Sequence, residues 1–446
     1  MFSLGMFIKQ TFQNYPKICA LFLLCVMSLI AFANAFPNSF HFDDIVGVVR
    51  NSAIRDLKNI PAYFTTPTTF GLGRTREWRP ILQITYAVNY YIGGLNPIVF
   101  RSFNFLFHIG TAFLIFLIVT AICRQTPEKF LGELHGSTAL LALLSAVLFA
   151  VHTANSEAVD YIWARSSLLA TFFCLLAFYC YVRGPFSGAT RQNVAWHLSG
   201  LIAFGLGLGS KATAVTLPAI LMMYEFLFLN PSSLNPFHLF LTEPRRLKKY
   251  IPLAVLSLAY VALRMVLFPR MVTNRIAAGG PRISSYTYLL TQFRAWIYYI
   301  RLFFWPHPLM IDFAGFGWSH SLWDGRVLIS LALVIILLIL SWRVRKTHPL
   351  FSLFLFWYFI ALLPEASIIP LEDAVVGYRA YPAYVGLAVV CVMASLQAAI
   401  WVWHPFSPNG MTRERRFWFI YGSIAAAILM SLMLATILRN RDWRNE

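Results

Sequence analysis

The segment Phe40-His41-Phe42-Asp43-Asp44 sets two adjacent carboxylates among aromatic residues, directly after the first long apolar run of the chain. A carboxylate at the mouth of a membrane span is cheap when solvated and costly when buried alone. It therefore marks either a solvated, capped turn or a reactive group. An ionised Asp within reach of a hydroxyl proton is a general base, and neighbouring carboxylates can also hold a divalent cation such as Mg or Mn. A solvated turn is the ordinary reading of one such pair. The residues downstream point to the base.

Charged residues recur where later apolar runs end. His152 and Glu157 bracket the turn Val151-His152-Thr153-Ala154-Asn155-Ser156-Glu157. Arg165 lies about 12 Å deeper if one helix continues from Glu157. An arginine at that depth either pairs, with Asp160 the nearest acid, or faces a water-filled cavity. Lys211 follows the glycine-rich stretch Gly205–Ser210 and precedes another apolar run, so it belongs to a hairpin. The order Gly-Lys-Ser/Thr and a preceding strand are absent, which excludes a nucleotide P-loop. A lysine there either snorkels or meets a lipid phosphate as a point charge.

Arg79-Pro80 opens a short apolar helix, and Arg101 and His108 open a span. Arg294, Arg301 and His307 populate a later segment, and Arg379 lies in Gly377-Tyr378-Arg379-Ala380-Tyr381-Pro382. Any one of them is most simply structural. Gathered on one face, they supply acids, cations and aromatics suited to a sugar phosphate.

The elements that must gather them are transmembrane. Hydrophobic residues make up 59% of the 446, charged residues 12%. Apolar runs of about 17–25 residues recur throughout, each enough to cross a bilayer. The chain reads as an all-α polytopic membrane protein, one integral domain over 1–446, with no polar stretch long enough for a soluble core. The first run, from Ile18 to about Phe36, carries Ala31-Phe32-Ala33, which mimics a signal cleavage site. Its length and the spans that follow favour a retained helix.

Further spans are expected near 98–122, 137–151, 158–182, 194–210, 212–229, 250–268, 326–342, 350–363, 380–402 and 416–438. Two long polar segments interrupt them. Residues 37–97 hold short interfacial helices at Ile45–Ile60 and Ile81–Ile92, separated by the loop Thr65–Gly73. Residues 269–325 hold an amphipathic run, Tyr286–Trp305. The net charge of +18 suits cytoplasmic loops and anionic membrane lipids. No basic run interleaves with aromatics outside the spans, so nucleic acid is not an expected partner. The six cysteines, Cys19, Cys25, Cys123, Cys174, Cys180 and Cys391, form no metal or disulfide pattern and read as packing residues.

Lys9 and Lys17 place the N-terminus in the cytoplasm, which puts Asp43 and Asp44 outside. Arg124 with Lys129, Arg183 with Arg191, and Arg245, Arg246, Lys248 and Lys249 then fall inside on alternate loops. If Tyr286–Trp305 lies in the outer interface, as Arg294 and Arg301 favour, Arg343, Arg345, Lys346, Arg413, Arg415 and Arg416 also fall inside. About eleven spans result. The C-terminus is then outside, against the preference of Arg439, Arg441 and Arg444. On that face the first loop, the turn His152–Glu157, the segment Arg294–Asp312 and the loop Pro364–Tyr381 can converge. An outer-face site excludes cytosolic nucleotide sugars and favours a lipid-linked donor.

Several motifs resemble the membrane region of the TMTC O-mannosyltransferases. They are Phe42-Asp43-Asp44, Arg79-Pro80-Ile81-Leu82-Gln83, Gly94-Leu95-Asn96-Pro97, Phe103-Asn104 with His108, and Ser156-Glu157-Ala158-Val159 with Arg165. Ser210-Lys211 with Val215-Thr216-Leu217-Pro218 and Trp305-Pro306-His307-Pro308-Leu309 continue the match in the same order. The resemblance implies a GT-C class fold and a polyprenyl-phosphate-sugar donor. It implies Asp43 or Asp44 as base, deprotonating an acceptor hydroxyl on a protein or glycan. Attack with inversion would expel polyprenyl phosphate, stabilised by Lys211 and Arg379, with Arg79 and Arg301 behind them; His152, Glu157 and Arg165 complete the expected site.

The chain departs from the family pattern at Thr153 and Asn155, where proline and histidine are usual, at Ala212, where an acid is usual, and at Tyr378 before Arg379. Without a TPR tail, the resemblance points to a bacterial inner-membrane relative. The competing reading is a transporter or flippase of a lipid-linked sugar, for which inverted repeats and broken helices would be the signature.

Overall fold

The computed structural model describes residues 14–70, 77–184, 190–229, 244–267, 283–311, 313–403 and 411–444. Lys9, Asp312, residues 71–73 and 269–282, and the side chains of Arg245, Arg246, Lys248, Arg413 and Arg415 lie outside the described residues. The α-helices of five residues or more are α1 (Pro16–Phe32), α2 (Pro80–Gly93), α3 (Pro97–Gln125), α4 (Thr138–Val151) and α5 (Ser156–Asp160). They continue as α6 (Arg165–Arg183), α7 (Arg191–Leu208), α8 (Leu217–Leu229), α9 (Pro244–Leu267) and α10 (Ser285–Phe304). Last come α11 (Gly325–Val344), α12 (Pro349–Leu362), α13 (Tyr381–Trp403) and α14 (Met411–Arg439).

Their starts follow local chemistry. Asn96 Oδ1 accepts from the Ile98 amide at 3.0 Å ahead of Pro97 at the first turn of α3. Ser284 Oγ caps α10 through the Thr287 amide at 3.0 Å, and Asp324 caps α11 through the Arg326 amide at 2.9 Å.

The all-α polytopic architecture expected from the apolar runs is what the structure adopts. Seven of its helical stretches are long and apolar enough to cross a membrane, and three shorter apolar helices accompany them, among the described residues. The segment expected as a span near 194–210 forms α7 but is not among those ten, and neither is α10. Helices α3, α4 and α6 are largely buried by their neighbours, whereas α9, α11 and α14 keep most of their surface outward. The interior is built from α3 against α4 and α6, α6 against α7, α4 against α13, and α12 against α13. Helix α14 returns to α1 and α4.

Two expectations are corrected. Ile45–Ile60 is not one helix but three short turns, Ile45–Val49, Ser52–Arg55 and Leu57–Asn59. Asn51 and Asp56 break it, because their side chains take the Ala53 and Lys58 amides at 3.0 and 2.9 Å. The second is the continuous helix from Glu157 past Arg165, which is interrupted at 161–164. Side chains from α2 and α3 capture the carbonyls a helix would use: Asn104 donates to Val159 at 2.9 Å, Arg101 to Asp160 at 2.9 Å, and Tyr86 to Ile162 at 2.8 Å. Asp44 Oδ1 accepts the Trp163 amide at 2.7 Å. Arg165 therefore begins α6 rather than lying well inside it.

Candidate functional site

The two adjacent aspartates have different surroundings. Asp44 is fully buried; Oδ1 takes the Trp163 amide, and Oδ2 takes the His41 amide at 3.2 Å. Burial pushes its carboxyl up to about 7 against those hydrogen bonds. Asp43 is exposed. Its Oδ2 accepts from the Tyr161 hydroxyl at 3.1 Å, and its amide donates to the same hydroxyl at 3.1 Å. Partial burial raises this carboxyl above the ordinary range, with Asp373 adding, while the Tyr161 hydrogen bond and Arg79 pull it down. Directly before the two aspartates the backbone is bent: Phe42 has φ +45°, a left-handed conformation rare outside glycine. The two carboxylates are thus committed to different partners. Among the described residues no group of three metal-ligating side chains is assembled.

Beyond Asp43 lies a patch of cations and tyrosines. The rings of Tyr161 and Tyr378 are 6.1 Å apart, and Lys211 Nζ stands 5.1 Å over the Tyr378 ring. Lys211, nearly inaccessible at the α7–α8 hairpin, donates to Ser167 Oγ and to Glu365 Oε2, both at 2.8 Å. Burial lowers its pKa while Glu365 opposes that shift. Glu365 is held below the ordinary range although burial raises it, because Lys211, Arg379 and Arg79 surround it. Arg79 donates to Ser166 Oγ at 3.2 Å and pairs with Glu77. Arg379 is 3.7 Å from the Asp373 carboxylate and donates to the Asp373 carbonyl at 2.8 Å. Helix α10 runs beside this loop: Tyr288 donates to the Glu365 carbonyl at 2.6 Å, Gln292 to Ala374 at 3.0 Å and Tyr299 to Val376 at 3.0 Å.

The remaining expected residues are placed as follows. Glu157 is buried against the backbone of Gly377, where a β-carbon would collide with its Oε2. Burial pushes its pKa up to about 8. His152 is buried, stacked 4.3 Å from Phe303, and takes the Ala154 amide at 3.2 Å. Burial lowers its pKa to about 4, so it is neutral. Arg165 is fully buried and is not ion-paired with Asp160. It donates to Asn104 and Asn89 at 2.6 Å each, to Phe100 O at 2.7 Å and to Thr85 at 3.1 Å. Arg301 is exposed, 5.5 Å over Tyr298.

Arg101 bonds the Asp160 carbonyl rather than its carboxylate, and lies close enough to offset part of the burial that raises that carboxyl to about 7. It also donates to the carbonyls of Asn38 and Ser39, tying the first loop to α3. Sequence reading left out Tyr161, Glu365 and Tyr378 as site members. Only Glu365 carried a signal, as the first acid after an apolar span. A cavity of about 280 Å³ lined by Ala177, Tyr181, Trp196, His197, Leu217 and Lys249 lies toward the opposite end of α6 and is separate from this patch.

This is a polytopic helical membrane protein with an exposed carboxylate beside a cation-rich, aromatic-lined patch. Its sequence is similar to the O-mannosyl-transferases of the TMTC group. Human Protein O-mannosyl-transferase TMTC1 is 27% identical over 219 residues, 47% of this chain and 24% of that protein. Drosophila melanogaster Protein O-mannosyl-transferase Tmtc2 is 27% identical over 320 residues, 68% of this chain and 31% of that protein. The chain thus spans between about a quarter and a third of these relatives' length. No family model matches. Among solved structures, the Archaeoglobus fulgidus oligosaccharyltransferase tethered to an acceptor peptide superposes with a TM-score of 0.49 at 13% identity, over 98% of this chain and 56% of that one. ArnT from Cupriavidus metallidurans bound to undecaprenyl phosphate gives 0.43 at 11% identity, over 95% and 74%.

Proposed function

We propose that the chain is a membrane glycosyltransferase that moves a sugar from a polyprenyl-phosphate donor to a hydroxyl of a protein or glycan. The observation that supports the reading is the exposed Asp43 carboxylate within electrostatic reach of Arg79, which in turn shares Glu365 with Lys211 and Arg379. The relatives' names supply the bond formed, sugar to oxygen. The membrane-embedded architecture favours a donor that itself partitions into lipid.

Asp43 is the base, and its raised pKa makes it a stronger proton acceptor than an ordinary aspartate. It takes the proton of the acceptor hydroxyl as the oxygen attacks the anomeric carbon. The bond to the phosphate oxygen breaks on the opposite side of the sugar, which inverts the anomeric centre. Charge accumulates on the departing phosphate, and Lys211 and Arg379 are positioned to stabilise it, with Arg79 nearer the base. Asp44 fixes the loop rather than reacting, since both its oxygens accept backbone amides. His152, Glu157 and Arg165 act as supports. Arg301 stays a candidate contact for the lipid. The site faces the periplasm of a bacterial inner membrane, with the N-terminus in the cytoplasm.

The test is turnover by the purified protein in lipid nanodiscs, offered a panel of short polyprenyl-phosphate sugars, with released polyprenyl phosphate read by mass spectrometry. Release at a rate above protein-free controls is expected. Donor binding with no release from any member, and donor passage across vesicles instead, would replace the transferase with a flippase.

A further inference from the structure

The segment Asn440–Arg444, beyond α14, folds back onto the loop that carries Asp43. Asn38 Nδ2 donates to the Asn440 carbonyl at 2.8 Å, and His41 Nε2 lies 2.7 Å from the Trp443 carbonyl. Asn440 Nδ2 returns a bond to Ala31 O at the end of α1 and another to Asn34 Oδ1, both 2.9 Å. Asn34 Nδ2 donates to Ile437 O at 2.8 Å. These contacts join residues about four hundred positions apart in sequence.

Trp443 sits at the centre and is 1% exposed. Its ring stacks on Tyr161, centroids 5.6 Å apart at 27°, and meets the His41 ring edge-on at 5.5 Å. Tyr161 is the residue whose hydroxyl both donates to Asp43 Oδ2 and accepts from the Asp43 amide. Its Nε1 makes no hydrogen bond, so the ring acts through its faces and edge: the Arg439 guanidinium lies 5.9 Å from its centroid, beside the contacts to Tyr161 and His41. Its contribution is a flat, large surface that fixes the plane of Tyr161. A tyrosine free to rotate about two side-chain torsions would hold Asp43 only part of the time.

We infer that Trp443 is a positioning residue for the transfer reaction, holding Tyr161 and the loop 38–44 so that the Asp43 carboxylate points at the acceptor. The inference rests on the reading of Asp43 as base. It differs from a purely structural role because Trp443 touches the base's hydrogen-bond donor and the base's own loop, so its loss alters proton abstraction before it alters folding.

The experiment compares Trp443→Ala, Trp443→Phe and Tyr161→Phe in nanodiscs by two readouts. The first is hydrogen–deuterium exchange of residues 38–44, with residues 165–183 as the control for global folding. Trp443→Ala raises exchange in 38–44 and leaves 165–183 protected; Trp443→Phe keeps both protected. The second is transfer kinetics. Trp443→Ala lowers kcat about tenfold or more with the donor KM within about twofold, as expected for a misplaced base rather than a lost binding contact. Trp443→Phe recovers most of the rate, and Trp443→Ala adds little to the loss already caused by Tyr161→Phe. Unchanged exchange in 38–44, a loss confined to donor KM, or full additivity with Tyr161→Phe overturns the inference. A wild type inert with every donor, yet with a loop loosened by Trp443→Ala, upholds the contact and instead removes the role given to Asp43.

Discussion

Glu157 Oε2 occupies the position where a β-carbon on residue 377 would stand, so the turn after α4 and the loop before α13 meet at a carboxylate and a glycine. Two stretches separated by more than two hundred residues are thereby locked together, and Tyr378 and Arg379 follow directly from that lock. Gly377→Ala forces the buried carboxylate away and is expected to displace Arg379. Transfer should fall at least tenfold, since a shift of about 1 Å at a positioned group costs up to a hundredfold. Activity equal to wild type would mean the loop accommodates a methyl group there.

The same carboxylate sets a pH dependence of stability. Its folded pKa is raised to about 8, above the ordinary 4.5, so folding favours the protonated form. The stabilisation is complete below the unfolded pKa and is lost as pH rises through the folded value. Thermal unfolding in detergent should therefore occur at progressively lower temperature from about pH 5 to pH 9. Glu157→Gln should flatten that slope. A slope unchanged by the substitution would contradict the assignment.

Arg165 is held by neutral oxygens from Asn89, Asn104, Thr85 and Phe100 rather than by an acid. A lysine has no planar fork with which to reach four acceptors. Arg165→Lys is expected to cost about 2–3 kcal/mol of stability through unsatisfied buried amides. Residual folded protein should keep its donor KM. A raised KM with unaltered stability would place Arg165 in contact with substrate instead.

Tyr161 offers a test by rate against pH. Its hydrogen bond lowers the Asp43 pKa, so Tyr161→Phe raises it. The acidic limb of kcat/KM should move to higher pH, because the base must lose its proton to act. A limb that stays in place would show that Asp43 is not the group titrating.

Much of this was legible in the chain. Apolar length gave the all-α polytopic architecture, and charge at the ends of apolar runs singled out Arg79, Lys211 and Arg379 as candidates, which the fold brings around Glu365. Sequence could not separate Asp43 from Asp44, because the difference lies in the Trp163 amide, contributed from 119 residues away. Nor could helical periodicity reveal the break before Arg165, since Arg101, Asn104 and Tyr86 impose it from other helices. Trp443 gave no signal either; its partners His41 and Tyr161 are remote in sequence.

The central claim is that Asp43, not its neighbour, abstracts the proton. The most direct measurement is single-turnover sugar transfer by Asp43→Asn and Asp44→Asn beside wild type, with donor binding measured separately. Asp43→Asn should bind donor normally and lose kcat by on the order of a hundredfold or more. Asp44→Asn should lose stability and recover much of its rate where it remains folded. A folded Asp43→Asn variant that transfers sugar at the wild-type rate would contradict the account.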